Sequence, residues 1–248
     1  SDEVKFVLDE TGKPIEVMVK VMHDSNRLIE DFMLLANRSV ATFINTRPEK
    51  VPFVNRAHNL PDIEKLVEFK RLAADFGYEL KIDTPEQISQ SLNQLLQQVQ
   101  GQPEQHLLET LAIRSMAKAA YSTHNIGHYG LAFTHYTHFT SPIRRYPDVM
   151  VHRILNQYLT DKTTLNRNLD ELEKKCEHTS IMERKAMEAE RESVKYKQVE
   201  YLSERLGQEF EGVISGVANF GFWVELSDNK CEGLVRISSV IDDTYFFD

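Results

Sequence analysis

The chain changes character abruptly near Leu206, and that change restricts it to folds with two unlike parts. Upstream, apolar residues recur at helical spacing over long stretches. From Gln208 onward the run FEGVISGVANFGFWVELSDNKCEGLVRISSVIDD breaks into short alternating segments separated by Gly, Asn and Asp. A helix-period pattern cannot serve as a half-buried strand, so the two stretches belong to different units of an α+β protein. The expected division is residues 1–205 and residues 206–248. The second has room for about three strands with their turns.

Within the first part, Val4 to Val21 alternates around the turn signal ETGKP, which predicts a hairpin. Asp24, Ser25 and Asn26 then offer N-caps to RLIEDFMLLANRSVATFI. That helix is apolar over nearly its whole circumference, so a largely buried central helix is expected. Three further helical patterns follow: DIEKLVEFKRLAADFGY closed by Gly77, TPEQISQSLNQLLQQVQ closed by Gly101, and PEQHLLETLAIRSMAKAAY. Leu169 to Leu206 reads as one or two charged surface helices.

Composition narrows the function classes. With 248 residues and 41% hydrophobic content the chain can bury a core, while a formal net charge of −9 argues against coating nucleic acid by bulk electrostatics. Any nucleic-acid contact is therefore local. Cys176 and Cys231 lack metal-type spacing and read as free thiols of a reducing, cytoplasmic compartment. No apolar run reaches membrane-spanning length and SDEVKF is no signal peptide, so no membrane partner is expected. The sequence carries no signature of a particular oligomeric state.

Chemistry concentrates between Ser122 and Tyr146, where the pattern turns irregular. In HFTSPIRRY, Thr140 or Ser141 is an N-cap type and Pro142 a first-helical-residue type, so a helix N-terminus that favours an anion is expected there. Arg144 and Arg145 follow at once. Adjacent helical residues point about 100° apart, so one guanidinium can grip a phosphate while the other pairs structurally. Pro147 should separate the PIRRY turn from the helix DVMVHRILNQYL. Surface arginines on a capped helix are the plainer reading of SPIRR alone. His124, His128, His135, His138 and His152 crowd the same region in HxxxH and HxxH spacings. A zinc site would need them aligned on one helix face, which the loop prevents; satisfied or RNA-facing imidazoles are the expectation.

The run RSMAKAAYSTHNIGHYGLAFTHYTHFTSPIRRYPDVMVHRIL resembles the closing part of the catalytic RNB domain of the ribonuclease II and ribonuclease R family, closer to ribonuclease R. The resemblance extends upstream to FVLDETGKPIEV and LIEDFMLLAN and downstream to ERKAMEAERESVKYKQVEYL. The tail resembles the start of the family's S1-type RNA-binding domain, an OB-type barrel that would not close within this length. The implied fold is a largely helical part of an RNB domain followed by an incomplete OB-fold unit. The implied activity is processive hydrolysis of single-stranded RNA from its 3′ end, releasing nucleoside monophosphates with Mg²⁺.

By the resemblance, Arg144 contacts the scissile phosphate region and stabilises charge developing there. An acidic residue of the IEDFM-type helix contacts the ribose, and Glu30 and Asp31 both compete for it. Glu30 shares a stripe with Leu34 and Asn37, whereas Asp31 lies towards Arg27 and Arg38, so periodicity favours a partly buried Glu30. Arg145, His138, Tyr136 and Ser141 are further candidate RNA contacts. In the tail, FWVEL puts Phe222, Val224 and Leu226 on one face and Trp223 on the other. The resemblance assigns Phe220, Trp223 and Arg236 to the RNA-facing side. No segment matches the family's tight Asp cluster that holds Mg²⁺: Asp242 and Asp243 are adjacent at the far end, and the other carboxylates are dispersed. No metal ligand is therefore assigned in this chain, and the chain alone is expected to hydrolyse little or nothing. The rival readings are a non-catalytic RNA-binding module, a zinc hydrolase and an interaction protein.

Overall fold

A computed structural model describes residues 4–20 and 22–240, so Val21, Asp242 and Asp243 lie outside the described residues. Two compact units emerge: residues 23–185, and residues 1–22 together with 186–248.

The second of these holds the hairpin β1 (Val4–Leu8) and β2 (Pro14–Val19), antiparallel as the sequence predicts. Its turn is built on Asp9, whose carboxylate accepts from the amides of Thr11 (2.8 Å) and Lys13 (3.0 Å). Gly12 supplies the positive φ (+84°) that the turn requires. The same unit contains the C-terminal end of a long helix and a three-stranded antiparallel sheet, β5 (Gly212–Ala218), β6 (Gly221–Leu226) and β7 (Glu232–Arg236), in the order of the chain. Lys197 donates to the Gly12 carbonyl (2.6 Å), and Gln198 to that of Lys230 (3.1 Å). One helical turn thus ties hairpin and sheet together.

In the unit of residues 23–185, α1 (Asp24–Asn45) is followed by β3 (Asn55–Ala57), α2 (Ile63–Asp75), α3 (Pro85–Gln98), α4 (Gln105–Ser115), β4 (Ala120–Ser122) and α5 (Tyr146–Thr160). Helix α6 (Leu169–Ser203) is one continuous helix that starts here and ends in the other unit. Two helix starts follow sequence signals: Asp62 caps α2 through the amides of Glu64 and Lys65, and Thr84 caps α3 through Gln87; α1 is instead capped at His23, with Asp24, Ser25 and Asn26 already inside its first turn. Helices α2, α3 and α4 enclose a core centred on Leu66, Leu80, Leu95 and Leu108. A second core joins α1, the segment leading into β3, β4, α5 and α6 through Ile44, Phe53, Tyr121, Val151 and Cys176.

Two expectations are corrected. The pattern PEQHLLETLAIRSMAKAAY stays helical only to Ser115; Ala120–Ser122 instead pairs with Asn55–Ala57 as a strand, tertiary pairing overriding local propensity. Helix α1 buries only Asn37, Ala41 and Ile44, while Leu28, Ile29, Phe32 and Leu35 are exposed. Its apolar circumference is covered by described elements along its C-terminal half alone.

Candidate functional site

The segment His138–Tyr146 runs from the core to the surface and back, and buried polar groups fix it at both ends. On the incoming side, Asn37 of α1 is 3% exposed; its Oδ1 accepts from the amides of Phe139 (2.9 Å) and Thr140 (3.2 Å), and its Nδ2 donates to the Tyr136 hydroxyl (3.2 Å). Thr137 donates to the Val54 carbonyl (2.6 Å), and His152 stacks on Phe139 at 4.0 Å between ring centres. On the outgoing side the Ser141 amide donates to Asp148 Oδ1 (2.7 Å). Asp148 is fully buried and takes two further hydrogen bonds from Arg145, Nε to Oδ2 at 2.9 Å and Nη2 to Oδ1 at 2.8 Å. This is the forked geometry that favours arginine over lysine.

Between these anchors Pro142, Ile143 and Arg144 form an exposed turn, closed by donation from the amides of Arg144 (3.3 Å) and Arg145 (3.0 Å) to the Ser141 carbonyl. The helix expected to start at Pro142 starts instead at Tyr146, after Arg145 in extended conformation. Pro147 tolerates only the first helical turn, which sets where α5 begins. The negative group in that first turn is the chain's own Asp148. The exposed cation of this segment is therefore Arg144, and the helix terminus is already occupied by a carboxylate.

The two arginines separate as expected, but through a turn followed by an extended Arg145 rather than through helical spacing. Arg145 holds the turn, whereas Arg144 is exposed and its side chain makes no hydrogen bond or ion pair among the described residues. Beneath them His138 lies between Tyr121 and Tyr136, with its Nδ1 2.8 Å from the Tyr121 hydroxyl. Burial, with Arg145, Arg56 and Arg144 nearby, pushes its pKa down to about 2, so it is neutral at physiological pH. Burial likewise pushes Tyr121 up to about 12. Tyr136 is 4% exposed and supports the segment from below, its ring against His128, Phe133 and His138.

Glu30 is exposed, as is Asp31, so the partial burial expected of Glu30 is corrected. The covering elements reach α1 only from Met33 on. Helical geometry still puts Glu30 on the stripe of Asn37, two turns or about 10 Å along the axis. Ser141 contributes its backbone: its amide and carbonyl make the hydrogen bonds that shape the turn.

The remaining histidines have separate partners. His58 and His128 pack ring against ring at 4.8 Å, His135 meets Asn125 at 2.6 Å, and His124 lies 3.9 Å from Glu173. Among the described residues no three His, Cys, Asp or Glu side chains group closely enough to hold a metal ion. Both cysteines are buried and unpaired, and burial pushes Cys176 up to about 12 and Cys231 to about 11. No described helix is long and apolar enough to cross a membrane.

In the other unit, β5 (Gly212–Ala218), β6 (Gly221–Leu226) and β7 (Glu232–Arg236) place Gly216, Trp223 and Leu234 side by side, with Arg236 opposite Gly221. Phe220 is 53% exposed and packs edge-on to Trp223 at 5.7 Å. Trp223 is half-buried rather than fully exposed, because Phe220 covers one side of it. Arg236 is exposed. A Cβ on Gly221 would collide with the Val235 carbonyl at 2.3 Å, so the close approach of β6 and β7 beside Phe220 depends on that glycine.

Sequence reasoning missed Asn37 as an anchor, and Asp148 and Tyr121 altogether. Asp148 carried a usable signal, its three-residue spacing from Arg145 across a helix start. Asn37 was a lone amide between Leu34 and Ala41 on its stripe. Tyr121 offered none, since its partner is 17 residues away in a loop.

Known proteins resemble this chain in sequence and in fold. The RNB domain family model matches residues 1–161, and the S1 RNA binding domain model matches residues 204–246. Ribonuclease R of Aquifex aeolicus is 41% identical over 247 residues, covering 99% of this chain and 35% of that protein. The chain thus spans about a third of the length of the curated relatives it matches. A Mycoplasma genitalium RNase R in complex with ribose-methylated single-stranded RNA superposes with a TM-score of 0.88 at 29% identity, over 100% of this chain and 39% of that one. The same organism's RNase R in complex with double-stranded RNA gives 0.83 at 30% identity, over 94% and 41%.

Proposed function

This chain belongs to the RNB domain family and carries an S1 RNA binding domain, and from that premise we propose that it is the phosphate-holding part of a hydrolytic 3′-to-5′ exoribonuclease acting on single-stranded RNA. The observation that carries the proposal is the pairing of Arg145 with buried Asp148, which leaves the neighbouring Arg144 exposed on a rigid turn. A guanidinium so placed meets a phosphate with two parallel hydrogen bonds and needs no reorganisation as charge develops on the oxygens. Glu30, two turns from the Asn37 anchor, is assigned to the ribose, with Asp31 as the alternative.

His138 supports the phosphate from below, while Arg145, Ser141 and Tyr136 set the shape of the turn. Phe220, Trp223 and Arg236 are assigned to RNA passing the S1 unit, where aromatic faces stack on bases and a cation follows the backbone. The division into an RNB part, 1–205, and an S1 part, 206–248, belongs to the same reading. So do Mg²⁺ as the hydrolytic cofactor, held by residues of a longer protein, release of nucleoside monophosphates, a cytoplasmic setting, and little or no hydrolysis by this chain alone. Mg²⁺ would activate water and neutralise phosphate charge; the part of the described residues is to bind and orient.

The test is turnover of a 3′-labelled single-stranded RNA in Mg²⁺ by the longer protein carrying Arg144→Ala. Loss of one donor to the developing charge is expected to slow it by about 10²–10³. Unchanged turnover would remove Arg144 from the site. Binding without turnover in the unsubstituted longer protein would favour a non-catalytic RNA-binding module.

A further inference from the structure

His138 lies under the Arg144 turn with one ring nitrogen engaged and the other without a hydrogen-bond partner among the described residues. Which nitrogen carries the proton decides what the imidazole can do there. The Tyr121 hydroxyl has no other hydrogen-bond partner among the described residues. Were Nδ1 to donate, that buried O–H would be left without an acceptor; with Tyr121 donating, both groups are satisfied.

The Tyr121 ring is itself held. The guanidinium of Arg56 lies over its face at 4.6 Å and is anchored by Glu183 at 2.6 Å, and the Tyr121 amide donates to Ser180 Oγ at 2.9 Å. Glu183 and Ser180 sit on α6 and Arg56 on β3, so two separate elements aim one hydroxyl.

We propose that Tyr121 is a positioning residue for RNA binding: by donating to Nδ1 it fixes His138 as the Nε2–H tautomer, which presents one neutral donor to an RNA backbone oxygen at the Arg144 turn. The inference rests on the phosphate-holding role of that turn. A neutral donor suits this place, because a protonated imidazole would face Arg56, Arg144 and Arg145 at short range. The low pKa of His138 and the high pKa of Tyr121 agree with this arrangement.

The chain labelled with ¹⁵N-histidine gives the tautomer directly from two- and three-bond ¹H–¹⁵N correlations of the imidazole rings, with His138→Gln identifying the resonance. Expected is a single Nε2–H form of His138, changing in Tyr121→Phe to a mixture or to the Nδ1–H form. Affinity for a short single-stranded oligoribonucleotide should fall about threefold to tenfold in Tyr121→Phe. His138→Gln places an amide N–H near the Nε2 position without help from Tyr121, so adding Tyr121→Phe to it should cost no further affinity. An Nδ1–H tautomer in the unsubstituted chain, or one unaltered in Tyr121→Phe, would overturn the proposal. So would equal loss of affinity from Tyr121→Phe in both backgrounds. The tautomer is read without RNA, so a chain with the Nε2–H form that is insensitive to Arg144→Ala in binding would sink the phosphate-holding role instead.

Discussion

The Ser141–Arg145 turn and the β5–β7 sheet both present candidate RNA contacts, yet they are stabilised in different ways. The turn rests on buried polar groups: Asn37 and Asp148 account for six hydrogen bonds to the segment from Tyr136 to Arg145, and both side chains are essentially inaccessible. The sheet rests on backbone pairing and a partly covered aromatic pair, with few fully buried side chains. All nine histidines fall between residues 23 and 178, so the unit containing the sheet has none. A buried polar frame gives rigid placement and is costly to disturb. A thin sheet with exposed aromatics tolerates change and adapts to many bases.

The contrast is sharpened most by Asp148→Ala. Breaking a buried ion pair from one side typically costs about 3–5 kcal/mol, and urea unfolding should show a loss of that size. A loss under 1 kcal/mol would mean that the turn is not held through Asp148.

A smaller effect comes from pH. The folded pKa of His138 lies below its ordinary value, so between about 2 and 6.5 the unfolded chain binds a proton that the folded one does not, and stability falls as pH drops through that window. The slope is roughly 1.4 kcal/mol per unit, or about 2 kcal/mol by pH 5. His128, pushed down to about 4 chiefly by burial, acts in the same direction. Fluorescence of Trp223 should report little change over this range while the ring signals of His138 stay those of the neutral form. Titration of His138 near 6.5 would break the contrast.

Smallest is Trp223→Ala. Because Phe220 already covers part of the ring, we expect the loss in RNA affinity to sit near the low end of base stacking, about 1 kcal/mol. Unfolding of the histidine-containing unit should be unaltered. An effect larger than that of Asp148→Ala on stability would place Trp223 in a core rather than on a binding face.

Much of this was legible in the sequence because local rules governed it. The ETGKP hairpin, the caps Asp62 and Thr84, the glycine stops at Gly77 and Gly101, the split between Arg144 and Arg145 and the three-stranded tail follow from turn chemistry, capping and periodicity. The errors arose where distant groups decide. Ala120–Ser122 became a strand because β3 was available to pair with it. The helix after Ser141 began late because Pro147 and Asp148 act together. Exposure of Glu30 depends on what covers α1, which its own periodicity does not encode. Tyr121 and Asn37 reach the site across 17 and about 100 residues of chain, and no local pattern announces such contacts.

In the proposed function neighbouring arginines divide the work, Arg144 meeting phosphate and Arg145 holding the turn. The direct test measures Arg144→Ala and Arg145→Ala side by side, for affinity to a short single-stranded RNA by fluorescence anisotropy and for unfolding midpoint in urea. Arg144→Ala should weaken binding about tenfold or more, as expected for loss of charge-assisted hydrogen bonds, with its midpoint unmoved, while Arg145→Ala should lower the midpoint. Unchanged RNA affinity in a folded Arg144→Ala chain would contradict the account.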